Sequence, residues 1–112
     1  MYAIEEGAQR INDGTVLTFS RKVVEHNTLL KVEAGTTGYS GGDSRLAGGR
    51  TYISITCDAG DFHFGLVRDE KDRPIGIRIA CCGDAGLNAI MKTLEFAHEA
   101  LNDQHCDRDD CT

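Results

Sequence analysis

Three stretches between residues 50 and 80 alternate apolar and polar side chains with a period of two. Ile53, Ile55 and Cys57 alternate with Tyr52, Ser54 and Thr56. Phe62, Phe64 and Leu66 alternate with His63, Gly65 and Val67, and Ile75, Ile77 and Ile79 with Gly76, Arg78 and Ala80. Successive side chains of a strand point to opposite faces, so each stretch reads as a strand. Asp58-Ala-Gly-Asp61 and Asp69-Glu-Lys-Asp-Arg-Pro74 are short turn sequences, which predicts an antiparallel meander over the three. An apolar sheet face needs a cover. Asp84 can cap a helix over about 85–102, on which Leu87, Ile90, Met91, Leu94, Ala97 and Leu101 recur at helical spacing. That stripe is expected to lie on the sheet. Lys92, Glu95 and Glu99 fall on the polar side, where Phe96 is an exception, read either as a second contact such as another subunit or as a lone exposed aromatic.

Two more strands precede these. Thr15–Val24 places Leu17, Phe19 and Val23 on one face, and Thr28–Ala34 does the same with Leu30, Val32 and Ala34; His26-Asn27 suits the turn between them. Residues 1–13 are weakly patterned and read as a lead-in, a short helix or a flexible segment. The predicted organisation is one domain over 14–102 and an acidic tail over 103–112. The fold class is α+β: a four- to five-stranded, mainly antiparallel sheet with a C-terminal helix packed on one face.

Charge excludes some partners. The net charge of −6 is concentrated at the ends. Residues 103–112 hold four Asp and one Arg, and residues 1–13 hold Glu5, Glu6, Asp13 and Arg10, so the body is nearly neutral. Double-stranded nucleic acid calls for a basic face, which is missing. No apolar run reaches the roughly 20 residues of a membrane span, and no signal peptide is visible, so a cytoplasmic location is expected. Cys57, Cys81, Cys82, Cys106 and Cys111 form no CxxC pair and read as free thiols or small core residues.

Residues 35–50 are the leading candidate site. This sixteen-residue segment between two strands carries six of the thirteen glycines. Loops of that length in a compact domain are usually functional or disordered. Successive N–H groups in glycine-rich turns can wrap an anion. Thr36, Thr37, Ser40 and Ser44 can add hydroxyl bonds, Arg45 and Arg50 can clamp a phosphate or carboxylate, and Tyr39 or Tyr52 can stack on a base. The competing reading is a mobile surface loop. The segment is no P-loop and no dinucleotide fingerprint, because it lacks Gly-Lys-Ser/Thr and leads into a strand.

Other constellations are weaker. Gly42-Asp43-Ser44 resembles the nucleophile segment of trypsin-like proteases, but Arg45-Leu46-Ala47 breaks the pattern, and Ser44 with His63 lacks an orienting group. His26, His98 and His105 read as turn, core and solvated residues. The tail His105-Cys-Asp-Arg-Asp-Asp-Cys111 has metal-ligand side chains at no standard spacing. Asp58, Asp61, Asp69, Glu70 and Asp72 lie in turns, where Asp favours local hydrogen bonds. No motif implies a cofactor or a metal.

Ala34-Gly-Thr-Thr-Gly-Tyr39, Gly41-Gly-Asp-Ser44 and Gly48-Gly-Arg-Thr-Tyr52, followed by Gly83-Asp84 and a helix, resemble a family of small uncharacterised proteins of bacteria and their phages. The family pattern continues with Gly-His after Asp-Ser, where this chain has Arg45-Leu46-Ala47. The resemblance carries no activity, but it implies one class of function, the sequestering of host nucleotide signals. The expected function is therefore non-enzymatic binding of a small anionic ligand, a nucleotide signal among the candidates, at loop 35–50. The alternative is a protein-interaction module, such as a phage inhibitor of a host protein, acting through the acidic ends and the exposed sheet face. A homo-oligomer is compatible with either.

Overall fold

The computed structural model describes residues 3–12, 14–37 and 49–106. Six strands and one helix follow in order: β1 (Glu5–Ile11), β2 (Gly14–Glu25), β3 (Thr28–Thr36), β4 (Thr51–Ala59), β5 (Phe62–Arg68), β6 (Pro74–Cys81) and α1 (Gly83–Cys106). β1 to β4 form an antiparallel sheet in sequence order, and β5 and β6 form a separate two-stranded sheet. The class is α+β, with α1 packed on β3 and β2.

Three expectations are corrected. Residues 1–13 are more than a lead-in, because β1 pairs with β2 along its length, from Glu5 opposite Ser20 to Ile11 opposite Gly14. Asn12, at φ 53°, begins the reversal, a conformation that Asn tolerates better than most residues. The meander over β4, β5 and β6 is interrupted. At Asp58–Asp61 the chain leaves the large sheet, with Gly60 at φ 126°, and β5 pairs with β6 alone. Finally, α1 runs to Cys106, so the first part of the acidic tail is helical.

The core lies between α1 and the middle of the sheet. Val23, Leu30, Val32 and Ala34 from β2 and β3 meet Ala89, Phe96, Ala97 and Ala100 of α1. Leu30 stands opposite Val23 on one side and Cys57 on the other, so this row crosses three strands on one face. The helix uses only part of the stripe expected of it: Ala97 is in the core and Leu101 packs against it. Leu87, Met91 and Leu94 are exposed, whereas Phe96 is buried in the core. Small residues at 86, 89, 93, 97 and 100 let the helix backbone approach the sheet closely, and Phe96 fills the space toward β2. The Arg21 guanidinium lies 5.9 Å from the Phe96 ring centre. On β2 the buried face changes along the strand. Val16, Thr18 and Ser20 are buried in its first half and Val23 in its second, while Leu17, expected inside, is exposed.

The β2–β3 turn is the expected His26-Asn27 pair, with His26 at φ 55°. At the β5–β6 turn, Asp69 accepts bonds from the Lys71 and Arg73 amides and from Arg73 Nε at 2.9–3.0 Å. The Arg73 amide, foremost among these, holds the Asp69 carboxyl below the usual carboxylate range. Asp69 thus serves local structure.

Candidate functional site

Loop 35–50 leaves the sheet through a closed neck. Where the β3–β4 ladder ends, the Thr37 amide donates to the Arg50 carbonyl at 2.9 Å, and the Arg50 amide donates to Thr37 Oγ1 at 2.9 Å. One residue inward, Thr36 and Thr51 are cross-strand partners whose hydroxyls lie 2.9 Å apart. Two other elements converge on this neck. Arg50 Nε donates to the Ile11 carbonyl at 3.1 Å, which ties the loop to the β1–β2 reversal. Gln104, in the last turns of α1, bridges two backbone groups where β2 and β3 part. Its Oε1 accepts from the Thr36 amide at 2.9 Å, and its Nε2 donates to the Leu17 carbonyl at 2.8 Å.

Gln104 was not visible as a site residue in the sequence, where it lies in the expected tail. Its only signal there is a polar residue that continues the helical register past Leu101. Gln104→Ala should cost about 1–3 kcal/mol, because a donor and an acceptor of the backbone lose their partner together. Urea unfolding would show this as a lower midpoint, and the Thr36 amide should exchange its hydrogen faster.

Gly35 is fixed by close approach. A Cβ there would overlap the Leu17 carbonyl oxygen and sit 2.9 Å from Thr18 Cα. Tyr52 stands opposite Gly35 and is half-buried. It belongs to the sheet face away from the helix, which is polar. There Thr18 Oγ1 donates to Glu33 Oε2 at 2.6 Å and Gln9 Nε2 donates to the same oxygen at 3.1 Å. Glu33 is opposite Ser54, so Tyr52, Ser54 and Glu33 share this face beside the neck. His63 and Arg78 are in the two-stranded sheet.

Of the eight residues chosen from the sequence, Thr36, Thr37, Arg50 and Tyr52 are brought together at the neck and beside it. Tyr39, Ser40, Ser44 and Arg45 lie outside the described residues. Thr36, Thr37 and Arg50 hold the loop's ends, a positioning role that the sequence reading did not separate from ligand contact.

A second cluster, missed in the sequence, sits at the base of the β5–β6 hairpin. Asp61 Oδ1 is 3.0 Å from His63 Nε2, and the same carboxylate adjoins the Cys82 thiol. Cys, His and Asp side chains therefore meet, but in an order unsuited to nucleophilic catalysis. The carboxylate, not the imidazole, adjoins the thiol, and its hydrogen bond and negative charge push the Cys82 pKa up. A catalytic thiol needs the opposite shift. All three groups are exposed. Among the described residues no set of three or more His, Cys, Asp or Glu can hold a metal ion. The tail's candidate ligands Asp107, Asp109, Asp110 and Cys111 lie outside the described residues. Cys57, Cys81 and Cys82 are free.

A groove of about 410 Å³ runs between β2 and α1 and is lined by Arg21, Lys22, Lys92, Glu95, Phe96 and Glu99, among others. It carries both signs of charge, and Lys92 is bound to Glu25 at 2.6 Å. No helix among the described residues is long and apolar enough to cross a membrane.

Fold and neck together define a small α+β domain in which the ends of the glycine-rich segment are tied to three elements. Comparison with known proteins adds nothing to that class: no protein family, no curated protein and no solved structure matches the chain.

Proposed function

We propose that the protein binds a small anionic ligand, with nucleotides as the leading class, at loop 35–50. One observation carries the reading: three separate elements, the β1–β2 reversal, α1 and the β3–β4 ladder, are all tied to the loop's two ends. Binding residues concentrate on loops positioned by a rigid scaffold, and this loop has such a scaffold at its base. Its glycines offer backbone N–H groups to an anion, and its hydroxyls and Arg45 supply further donors. Tyr52, half-exposed beside the neck, offers a ring to a base. In this reading Thr37 and Arg50 set the loop's geometry, and ligand contact falls to residues 38–48 and Tyr52.

The test is a thermal-shift panel of mono-, di- and cyclic nucleotides. A ligand at a hundred times its Kd adds about 2.7 kcal/mol, or roughly 10 °C for a domain of this size. Arg45→Ala should abolish the shift without lowering the ligand-free Tm. A flat response across the panel would overturn the proposal. The protein-interaction reading has one specific observation in its favour. This is the apolar face of the β5–β6 hairpin, not the acidic ends or the polar sheet face.

A further inference from the structure

The β5–β6 hairpin has one face made almost wholly of large apolar side chains. Antiparallel partners share a face, so Phe64 with Ile79 and Leu66 with Ile77 stand together. Phe62 and Phe64 stack with ring centres 6.1 Å apart, which places Phe62 on the same face. The opposite face holds His63, Gly65, Val67, Gly76, Arg78 and Ala80. Among the described residues the cover is at the base of the apolar face, where Gly86 of α1 meets Cys81 and Phe62. Toward the tip, Phe64, Leu66, Ile75 and Ile77 are 47–73% exposed. A two-stranded hairpin is marginal in water without something packed on it.

The helix leaves a matching surface. Lys92, Glu95, Phe96 and Glu99 line the groove against β2, so this edge of α1 faces β2. At 100° per residue, Leu87, Ile90, Leu94 and Leu101 fall on the other edge, toward β4, with Met91 next to them. β4 presents Ile53, which is exposed, and Ile55 on the helix-covered side of the sheet. Ile55 also borders an open cleft of about 360 Å³ against Phe64, Leu66, Ile77 and Ile79. Hairpin and β4 thus border one apolar trough, and the exposed apolar edge of α1 lies on the same side of the sheet.

We infer that a second copy of this chain fills the trough, in a two-fold dimer in which each hairpin lies on the helix edge of the other copy. Area selects a stable interface. Ile53, four hairpin residues and Leu87, Met91 and Leu94 together expose about four and a half whole residues' worth of surface. At roughly 150–200 Å² each that is on the order of 700–900 Å², the ~800 Å² per partner of a standard stable interface. Self-complementarity selects the occupant. The chain bears both an apolar ridge and an apolar trough, and a two-fold axis uses each twice. A hairpin that needs cover in order to fold also needs a partner present whenever the chain is made, and another copy of the chain meets that condition. The inference is independent of the ligand reading, since the loop neck and the trough use different residues.

Sedimentation of the full chain at ~20 μM tests it. The expected mass is twice 12.2 kDa. Ile77→Lys and Met91→Glu should each raise the dissociation constant at least ~30-fold and sediment as monomers. Mixing the two should restore a dimer, because one site then pairs Lys with Glu and the other is wild type. A monomeric wild type, a full dimer in both variants, or two folded variants that stay monomeric when mixed would each overturn the proposal. Should a variant lose its circular dichroism, hydrogen exchange of the wild type over a dilution series decides. Amides of 64–66 and 77–79 must lose protection on dilution, and concentration-independent protection overturns the dimer. A monomer that captures a different protein through the hairpin also counts against it.

Discussion

Gly35→Ala should lower the melting temperature by more than about 12 °C. The added Cβ would overlap the Leu17 carbonyl oxygen, with Thr18 Cα and Cγ2 both at 2.9 Å. Two of these three atoms are backbone, so no side-chain rotation relieves the clash. Overpacking a core usually costs about 1–3 kcal/mol, and the upper end or beyond applies when main chain must move. A domain of about 100 residues loses roughly 4 °C per kcal/mol. The movement would also reach the candidate site. Leu17 O is the acceptor for Gln104, and Gln104 in turn holds the Thr36 amide. Displacing β2 from β3 therefore loosens the neck of loop 35–50 as well as the sheet. Gly76→Ala is the control, because a Cβ there meets only Val67 side-chain carbons at 3.6–3.9 Å. Calorimetry on the two variants should separate them clearly, and equal melting temperatures would refute the close-approach account.

The sheet was legible because alternation is a local signal. β4 shows it most clearly, and its strand runs over Thr51–Ala59 as Ile53, Ile55 and Cys57 require. What the pattern could not fix was the partner of each strand. β5 alternates as well as β4 does, yet it leaves the large sheet, since Phe62, Phe64 and Leu66 announce an apolar face but not which surface covers it. β1 was missed for the reverse reason. Glu5, Glu6, Gln9 and Arg10 give it no apolar row, and β2 supplies its pairing.

The candidate site was half legible. Glycine content and length marked loop 35–50, but Thr37, Arg50 and Gln104 meet there through contacts 13 to 87 residues apart in sequence. No local pattern encodes such convergence. The Asp61–His63–Cys82 cluster was hidden likewise, because Cys82 joins it only after β5 and β6 have paired.

Phe96→Ala should cost about 3–5 kcal/mol, the range for emptying a buried aromatic site. The sequence places Phe96 among Lys92, Glu95 and Glu99, on the helix face expected to be wet. Helix α1 carries two apolar surfaces, and the one with larger side chains dominates its periodicity. Its own sheet takes the other one, because Ala89, Ala97 and Ala100 allow close approach and Phe96 alone reaches across to β2. Only Phe96 among the helix's core residues has bulk to lose, so its removal leaves a void that neighbouring alanines cannot fill. The loss also strips the Arg21 guanidinium of the ring it lies against. Lys92→Ala, on the same edge, breaks an ion pair with Glu25 that is more than half exposed on the lysine side, and should cost at most about 1 kcal/mol. Thr93→Val should be neutral or stabilising, since the buried Thr93 hydroxyl has no hydrogen-bond partner among the described residues. Urea titrations of the three variants therefore give an order, Phe96→Ala far below Lys92→Ala and Thr93→Val at or above wild type. An α1 turned to bury Leu87, Met91 and Leu94 against its own sheet would leave Phe96→Ala close to wild type, so the same titrations decide which stripe the helix spends on its own core and which it keeps for a partner.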